Sequence, residues 1–96
     1  MKRFFCLGIG GISLNSEDVP AINNVLNRAE DWYRHGVYSW LVYDDAPLDW
    51  WRDQLRSLPK LQDPKASFFL CEFRSEPGQY SGYLAQQGWD WLQKRR

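Results

Sequence analysis

The sequence predicts one small α+β domain, and three observations support this class. The segment Val37 to Tyr43, VYSWLVY, is built almost wholly of β-branched and aromatic residues, which is typical of a central strand. Apolar residues recur at spacings of three and four on either side of this segment, which indicates amphipathic helices. A chain of 96 residues can bury one modest core. We therefore treat residues 1–96 as a single domain.

The first predicted strand is the apolar run Arg3 to Ile9, whose pattern suits a strand covered on both faces. Gly8, Gly10 and Gly11 follow or overlap its end. This stretch is neither a dinucleotide-binding GxGxxG motif nor a P-loop, because a third correctly spaced glycine and the Lys-Ser/Thr pair are missing. Gly8 to Gly11 therefore predict a flexible connection between the first strand and the first helix. Asp18 and Pro20 then suit the start of a helix.

The first helix has two possible ends. Its apolar face is formed by residues at helical spacing: Ile22, Val25, Leu26, Ala29 and Tyr33. The helix could continue to Arg34 and end at Gly36, which would give parallel βαβ units. Alternatively it stops near Ala29, and Asp31 to Arg34 form a short strand that turns at His35-Gly36. The second option gives the ferredoxin-like order βαββαβ.

The second half of the chain has a clearer pattern. Pro47 opens a helix that Pro59 ends, and its apolar face consists of Leu48, Trp51, Leu55 and Leu58. Ser67 to Arg74 reads as a strand. Its side chains alternate between two faces, with Phe69, Cys71 and Phe73 on one and Phe68, Leu70 and Glu72 on the other.

The C-terminal part predicts a turn at Glu76-Pro77-Gly78, a short extended piece near Tyr80 to Tyr83, and a helix from about Gln87. Taken together, the elements predict a ferredoxin-like βαββαβ sandwich with a short C-terminal helix. The alternative is a three-stranded parallel βαβαβ sheet with the same helix.

Composition restricts the function classes. Twelve basic and twelve acidic residues give a net charge of zero, which removes the bulk attraction to phosphate that most nucleic-acid-binding proteins use. Six tryptophans are more than a small core needs, which favours aromatic side chains at a protein interface. Cys6 and Cys71 lie in apolar runs and are predicted to be buried free thiols of a cytoplasmic protein. No window approaches the ~20 apolar residues of a membrane helix.

Several short motifs resemble the small Cas2-like domains, in particular the SinR-like family. They are Ser39-Trp40-Leu41-Val42 in the central strand, the amphipathic helix that follows, the strand Phe68 to Phe73, and Asp90-Trp91-Leu92. The resemblance covers mainly residues 37–96. It implies a ferredoxin-like fold and commonly a homodimer. Nucleases of the Cas2 kind carry a metal-binding Asp at the end of the first strand, where this sequence has Gly8-Ile9-Gly10-Gly11.

Three groups of polar residues could support chemistry. Asp44 and Asp45 form an acidic pair after the central strand and are the fallback ligands for a metal ion, although Asp45 or its neighbour also suits a helix cap beside Ala46-Pro47. Lys94, Arg95 and Arg96 could bind nucleic acid as a basic patch. His35 is the only histidine and is expected to be a solvated turn residue.

The sequence therefore predicts a non-enzymatic interaction or regulatory module that needs no cofactor. Its predicted partner is another protein chain, most simply a second copy in a homodimer. Trp50 and Trp89 are the predicted partner-binding residues, because exposed indoles are enriched where proteins bind each other. The alternatives are a Cas2-like metal-dependent nuclease and a nucleic-acid-binding regulator that uses the C-terminal basic residues. A membrane partner is not predicted.

Overall fold

The computed structural model describes residues 1–74, 82 and 85–96. The strands are β1 (Arg3–Gly10), β2 (Asp31–Gly36), β3 (Ser39–Asp44) and β4 (Ser67–Phe73). The helices are α1 (Asp18–Leu26), α2 (Leu48–Arg56) and α3 (Gln86–Gln93), and a short 3₁₀ turn spans Pro59–Gln62. This confirms the predicted α+β class.

The four strands form one antiparallel sheet in the order β2-β3-β1-β4. The parallel βαβαβ alternative is therefore wrong. The prediction is wrong because α1 ends at Leu26, so that Asp31 begins strand β2 rather than a further helical turn. The chain beyond α1 is held by the Trp32 indole, whose Nε1 donates a hydrogen bond to Asn27 Oδ1 at 2.9 Å.

The strand predicted at Val37 to Tyr43 begins later than expected, at Ser39. Val37 lies in the turn between β2 and β3 and is 60% exposed. From Ser39 onward the strand is internal, paired with β2 on one side and β1 on the other. Trp40 and Val42 are completely buried, and the strand is central in the sheet as predicted.

Helices α1 and α2 cover the first face of the sheet. They enclose a core cluster made by alternate residues of β1 and β3 and by the helices' apolar faces: Phe5, Leu7, Ile9, Ile22, Val25, Leu26, Trp40, Val42, Trp51, Leu55 and Leu61. The predicted faces are confirmed within the helices, at Ile22, Val25 and Leu26 of α1 and at Trp51 and Leu55 of α2. Tyr33, predicted on the face of the first helix, lies instead in β2 and packs on the second face of the sheet. The start of α1 is stabilised by Asn15, whose Oδ1 accepts hydrogen bonds from the N–H groups of Glu17 and Asp18.

Helix α3 lies on the second face of the sheet, where it builds a smaller cluster. Phe4, Leu41 and Leu92 are buried there, against half-buried Trp89 and Trp91. The predicted helix from about Gln87 is thus confirmed, beginning at Gln86. The extended piece predicted near Tyr80 to Tyr83 falls largely outside the described residues.

Candidate protein-binding surface

Strand β4 is an edge of the sheet, since among the described strands it pairs with β1 alone. The Ile9 N–H donates to Tyr38 O at 3.0 Å, so the odd-numbered residues of β1 direct their backbone groups toward β3. The even-numbered ones then direct theirs toward β4, where their register partners are Phe73, Cys71, Phe69 and Ser67. It follows that the N–H and C=O groups of Phe68, Leu70 and Glu72 lie along the outer edge.

This edge is unusual because it is strongly apolar. Natural proteins usually protect edge strands with lysines, prolines or bulges. In β4, Glu72 is the only charged residue, and no bulge interrupts the pairing with β1. An apolar edge with unpaired backbone groups is a template for adding a strand from another chain.

Phe69 is the most prominent apolar side chain of this surface, with 63% of its area exposed. It lies on the second face of the sheet opposite Gly8. A Cβ atom added to Gly8 would come within 2.9 Å of the Phe69 ring, so the glycine provides the space in which the ring rests. A shallow depression of about 410 Å³ adjoins the ring and is lined also by Tyr38 and Ser39.

The other end of the second face is occupied by α3 and the C-terminal residues. The Arg96 guanidinium lies over the rings of Phe4, Tyr43 and Trp91 at 5.4, 4.6 and 4.6 Å from their centroids. It also pairs with Asp31 at 2.9 Å and donates to Trp91 O at 2.8 Å. Through these contacts Arg96 holds the C-terminal residues against β2 and β3.

Two of the three basic residues that were predicted as a patch pair with the same carboxylate, that of Asp31. Arg96 has a side chain only 13% exposed, and Lys94 lies 3.5 Å from Asp31. Arg95 is exposed, and within the described parts of the chain it has no ion-pair partner. Lys94 and Arg96 also line a cleft of about 870 Å³ with Lys2, Arg3 and Arg74.

Asp31 is the acidic centre of the C-terminal contact. Burial alone would raise the pKa of its carboxyl group, but hydrogen bonds from Arg96 and the Trp32 N–H, together with the charge of Lys94, hold the pKa below its usual value. The Trp91 indole N–H makes no hydrogen bond of normal geometry, yet its proximity also favours the charged carboxylate.

Replacing Asp31 by Asn is expected to lower the free energy of unfolding at pH 7 by about 1–2 kcal/mol, because a charged hydrogen-bond acceptor is lost. A depressed pKa stabilises the fold above the unfolded-state pKa of about 3.9. That stabilisation is lost as the pH falls through the lower folded-state pKa. Urea unfolding of Asp31→Asn should therefore differ from wild type at pH 7 and converge with it at acid pH. Asp90→Asn, on the exposed face of α3, should change little at either pH.

The two predicted partner-binding tryptophans lie on opposite layers of the molecule. Trp50 is on α2, 38% exposed, with its ring edge-on to Trp51 at a centroid distance of 5.0 Å. Trp89 is on α3 and half-buried against the second-face cluster. One flat contact surface cannot contain both side chains.

Asp44 has a structural position. It is 7% exposed, and its carboxylate accepts hydrogen bonds from Glu30 N–H, Ala46 N–H and Trp51 Nε1, each at 3.2 Å. It joins the end of β3 to α2, close to the capping role that the sequence interpretation gave to Asp45 or its neighbour. Asp45 itself is exposed and lies 3.8 Å from Lys2. No cluster of three or more potential metal ligands occurs among the residues that the structure describes.

Comparisons with protein-family models, with curated proteins and with solved structures found no match. In the described residues, no helix has both the length and the apolar character needed to span a bilayer. The fold and the surface define a small α+β domain with a four-stranded antiparallel sheet, rich in tryptophan, that presents an apolar edge strand.

Proposed function

We propose that the protein is a non-enzymatic interaction module that binds a second copy of its own chain along the outer edge of β4. The observation that carries this proposal is the apolar edge itself. The outward backbone groups of Phe68, Leu70 and Glu72 pair with no other described strand, and Phe69 is 63% exposed beside them. Exposed apolar surface such as the Phe69 ring is unfavourable in water, and the outward backbone groups of the edge can pair with a further strand.

A second copy is the simplest occupant, because an antiparallel edge is self-complementary about a two-fold axis. With the axis at Leu70, the outward backbone groups of the two Leu70 residues would bond to each other. Phe68 would then pair with Glu72 of the other copy, and Phe69 would lie opposite its Cys71. A net charge of zero at pH 7 means that long-range repulsion does not oppose the contact.

The ferredoxin-like assignment and the resemblance to the Cas2-like and SinR-like proteins belong to the same proposal. The ferredoxin-like assignment is supported by the chain order β1-α1-β2-β3-α2-β4 and by the strand order β2-β3-β1-β4. The family resemblance depends on the short sequence motifs alone. The nuclease alternative gains no such support, because the Asp44 carboxylate already accepts three hydrogen bonds.

The edge contact can be tested with substitutions at Glu72. Proline there removes an outward N–H without removing a bond to β1, and edge strands tolerate proline. We expect sedimentation of the wild-type chain to show a concentration-dependent dimer. Glu72→Pro should weaken dimerisation at least about tenfold, because the symmetric contact loses two backbone hydrogen bonds, one from each copy, worth together at least about 1.4 kcal/mol.

The matched control is Glu72→Ala, which removes the same side chain and keeps the N–H. It should dimerise like the wild type. A strictly monomeric wild-type chain, or equal weakening of dimerisation by both substitutions, would contradict the proposed edge contact. The same experiment on Trp50→Ala and Trp89→Ala measures whether either predicted tryptophan contributes to the contact.

Nucleic-acid binding is a second candidate, favoured by the 870 Å³ cleft that combines Lys2, Arg3 and Arg74 with the rings of Phe4 and Phe73. Binding of a labelled single-stranded oligonucleotide should fall steeply as the salt concentration rises. Arg74→Ala should weaken it, since Arg74 is exposed and has no ion pair in the described structure. Binding that is absent or independent of salt would eliminate this candidate.

A further inference from the structure

Cys6 and Cys71 lie directly opposite each other in neighbouring strands. The register of β1 and β4 pairs them, so both side chains project from the second face of the sheet. The backbone alternation derived above makes them a hydrogen-bonded pair, for which the Cα atoms are about 5.5 Å apart. Disulfides span Cα separations of about 4.4–6.8 Å. The backbone therefore holds the two thiols within bridging distance.

The two thiols differ in access. Cys71 is exposed, contrary to the prediction that both cysteines are buried, because β4 is an edge strand and α3 covers the other end of this face. Cys6 is half-buried. Burial raises the pKa of the Cys6 thiol, and the adjacent Cys71 raises it further. The exposed thiol of Cys71 is thus the one that meets a reagent first.

We propose that Cys6 and Cys71 form a reversible disulfide across β1 and β4 by exchange with a small-molecule disulfide. The Cys71 thiolate attacks one sulfur of the reagent, so that a mixed disulfide forms and one small thiolate leaves. The Cys6 thiolate then attacks the Cys71 sulfur and displaces the second small thiolate. The two protons lost by the cysteines protonate the two released thiolates. The protein dithiol is oxidised by two electrons, and one small disulfide is reduced to two thiols.

The same geometry makes this bond reversible. Directly opposed residues of a sheet have Cβ atoms about 4.5–5.5 Å apart, whereas a relaxed disulfide prefers about 3.8 Å. Closing the bond strains the two strands, and strained, accessible disulfides are readily reduced. The pair is therefore suited to responding to the thiol–disulfide balance around it rather than to permanent cross-linking.

The disulfide does not require dimerisation, because it lies within one chain. The proposed edge contact would place Phe69 of the second copy beside Cys71, so the disulfide is tested at a concentration at which the chain is monomeric. The test is treatment of the folded protein with oxidised glutathione, followed by intact mass measurement without reduction. The wild-type chain should become two hydrogen atoms lighter at the mass of one chain and lose both free thiols. Excess reduced glutathione should restore both.

Two serine variants resolve the steps. Cys6→Ser should stop at the mixed disulfide and carry one glutathione on Cys71. Cys71→Ser should incorporate glutathione at least about tenfold more slowly, because only the half-buried thiol with the raised pKa is left. A wild-type chain that stops at a stable glutathione adduct would overturn the proposal. So would a disulfide that joins two chains, because the proposed bond joins Cys6 and Cys71 of the same chain.

Discussion

The substitution Trp51→Ala is expected to remove a large part of the protein's free energy of unfolding. Trp51 is completely buried between α2 and the sheet, with its ring centroid 5.8 Å from that of Phe5. Its Nε1 also donates to Asp44 at 3.2 Å. Truncating a buried tryptophan costs about 3–5 kcal/mol. A domain of this length has a total free energy of unfolding of about 5–14 kcal/mol. Urea unfolding followed by circular dichroism should show a greatly lowered midpoint.

The neighbouring residue provides a matched control. Trp50→Ala makes the same chemical change one position earlier, at a side chain that is 38% exposed and contacts Trp51 edge-on. It should cost about 1 kcal/mol, the value of one aromatic pair. Equal losses for the two variants would contradict the assignment of Trp51 to the core and Trp50 to the surface.

Gly11→Ala is expected to be the second most destabilising change. Gly11 has φ +80°, in the left-handed region that costs a non-glycine residue about 1–2 kcal/mol. An added Cβ atom would also come within 2.0 Å of the Lys65 carbonyl oxygen, which belongs to the backbone that leads into β4. We expect a loss of at least about 2 kcal/mol in the free energy of unfolding. Thermal or urea unfolding measures it.

Gly10→Ala separates this effect from the general cost of adding a methyl group. Its Cβ atom would approach only the Ser67 side-chain oxygen, at 3.4 Å, and Gly10 has no positive φ. The loss should stay below about 1 kcal/mol. Equal losses in the free energy of unfolding for Gly10→Ala and Gly11→Ala would contradict this account. They would show that the close packing of Gly11 against the chain before β4 is not the cause of the loss.

Local pattern was enough to predict most of the elements. The apolar run of β1, the proline-bounded α2 and the alternating residues of β4 each carry their own signal, and all three were confirmed. The end of α1 could not be decided in this way, because Ala29 and Tyr33 fit the helical spacing as well as Leu26 does. The choice depends on pairing between β2 and β3, a tertiary interaction that outweighs helix periodicity.

The candidate surface was much harder to predict. Whether Ser67 to Phe73 is a central or an edge strand depends on strand order, which the alternation of its residues does not encode. For the same reason Cys71 was expected to be buried and is exposed. The structural role of Arg96 was also missed, because it depends on rings from β1, β3 and α3 that are far apart in the sequence. In the sequence, the only sign of this role for Arg96 was that Trp89 and Trp91 lie close to the basic residues Lys94, Arg95 and Arg96.

The most direct test of the edge contact is amide hydrogen exchange at individual residues of β4, measured at protein concentrations below and above the dimer dissociation constant. Dimerisation should slow exchange at Phe68, Leu70 and Glu72, whose N–H groups lie on the outer edge. The N–H groups of Phe69, Cys71 and Phe73 already face β1 and should change far less. A dimer in which the outer three amides exchange as fast as in the monomer would contradict the account.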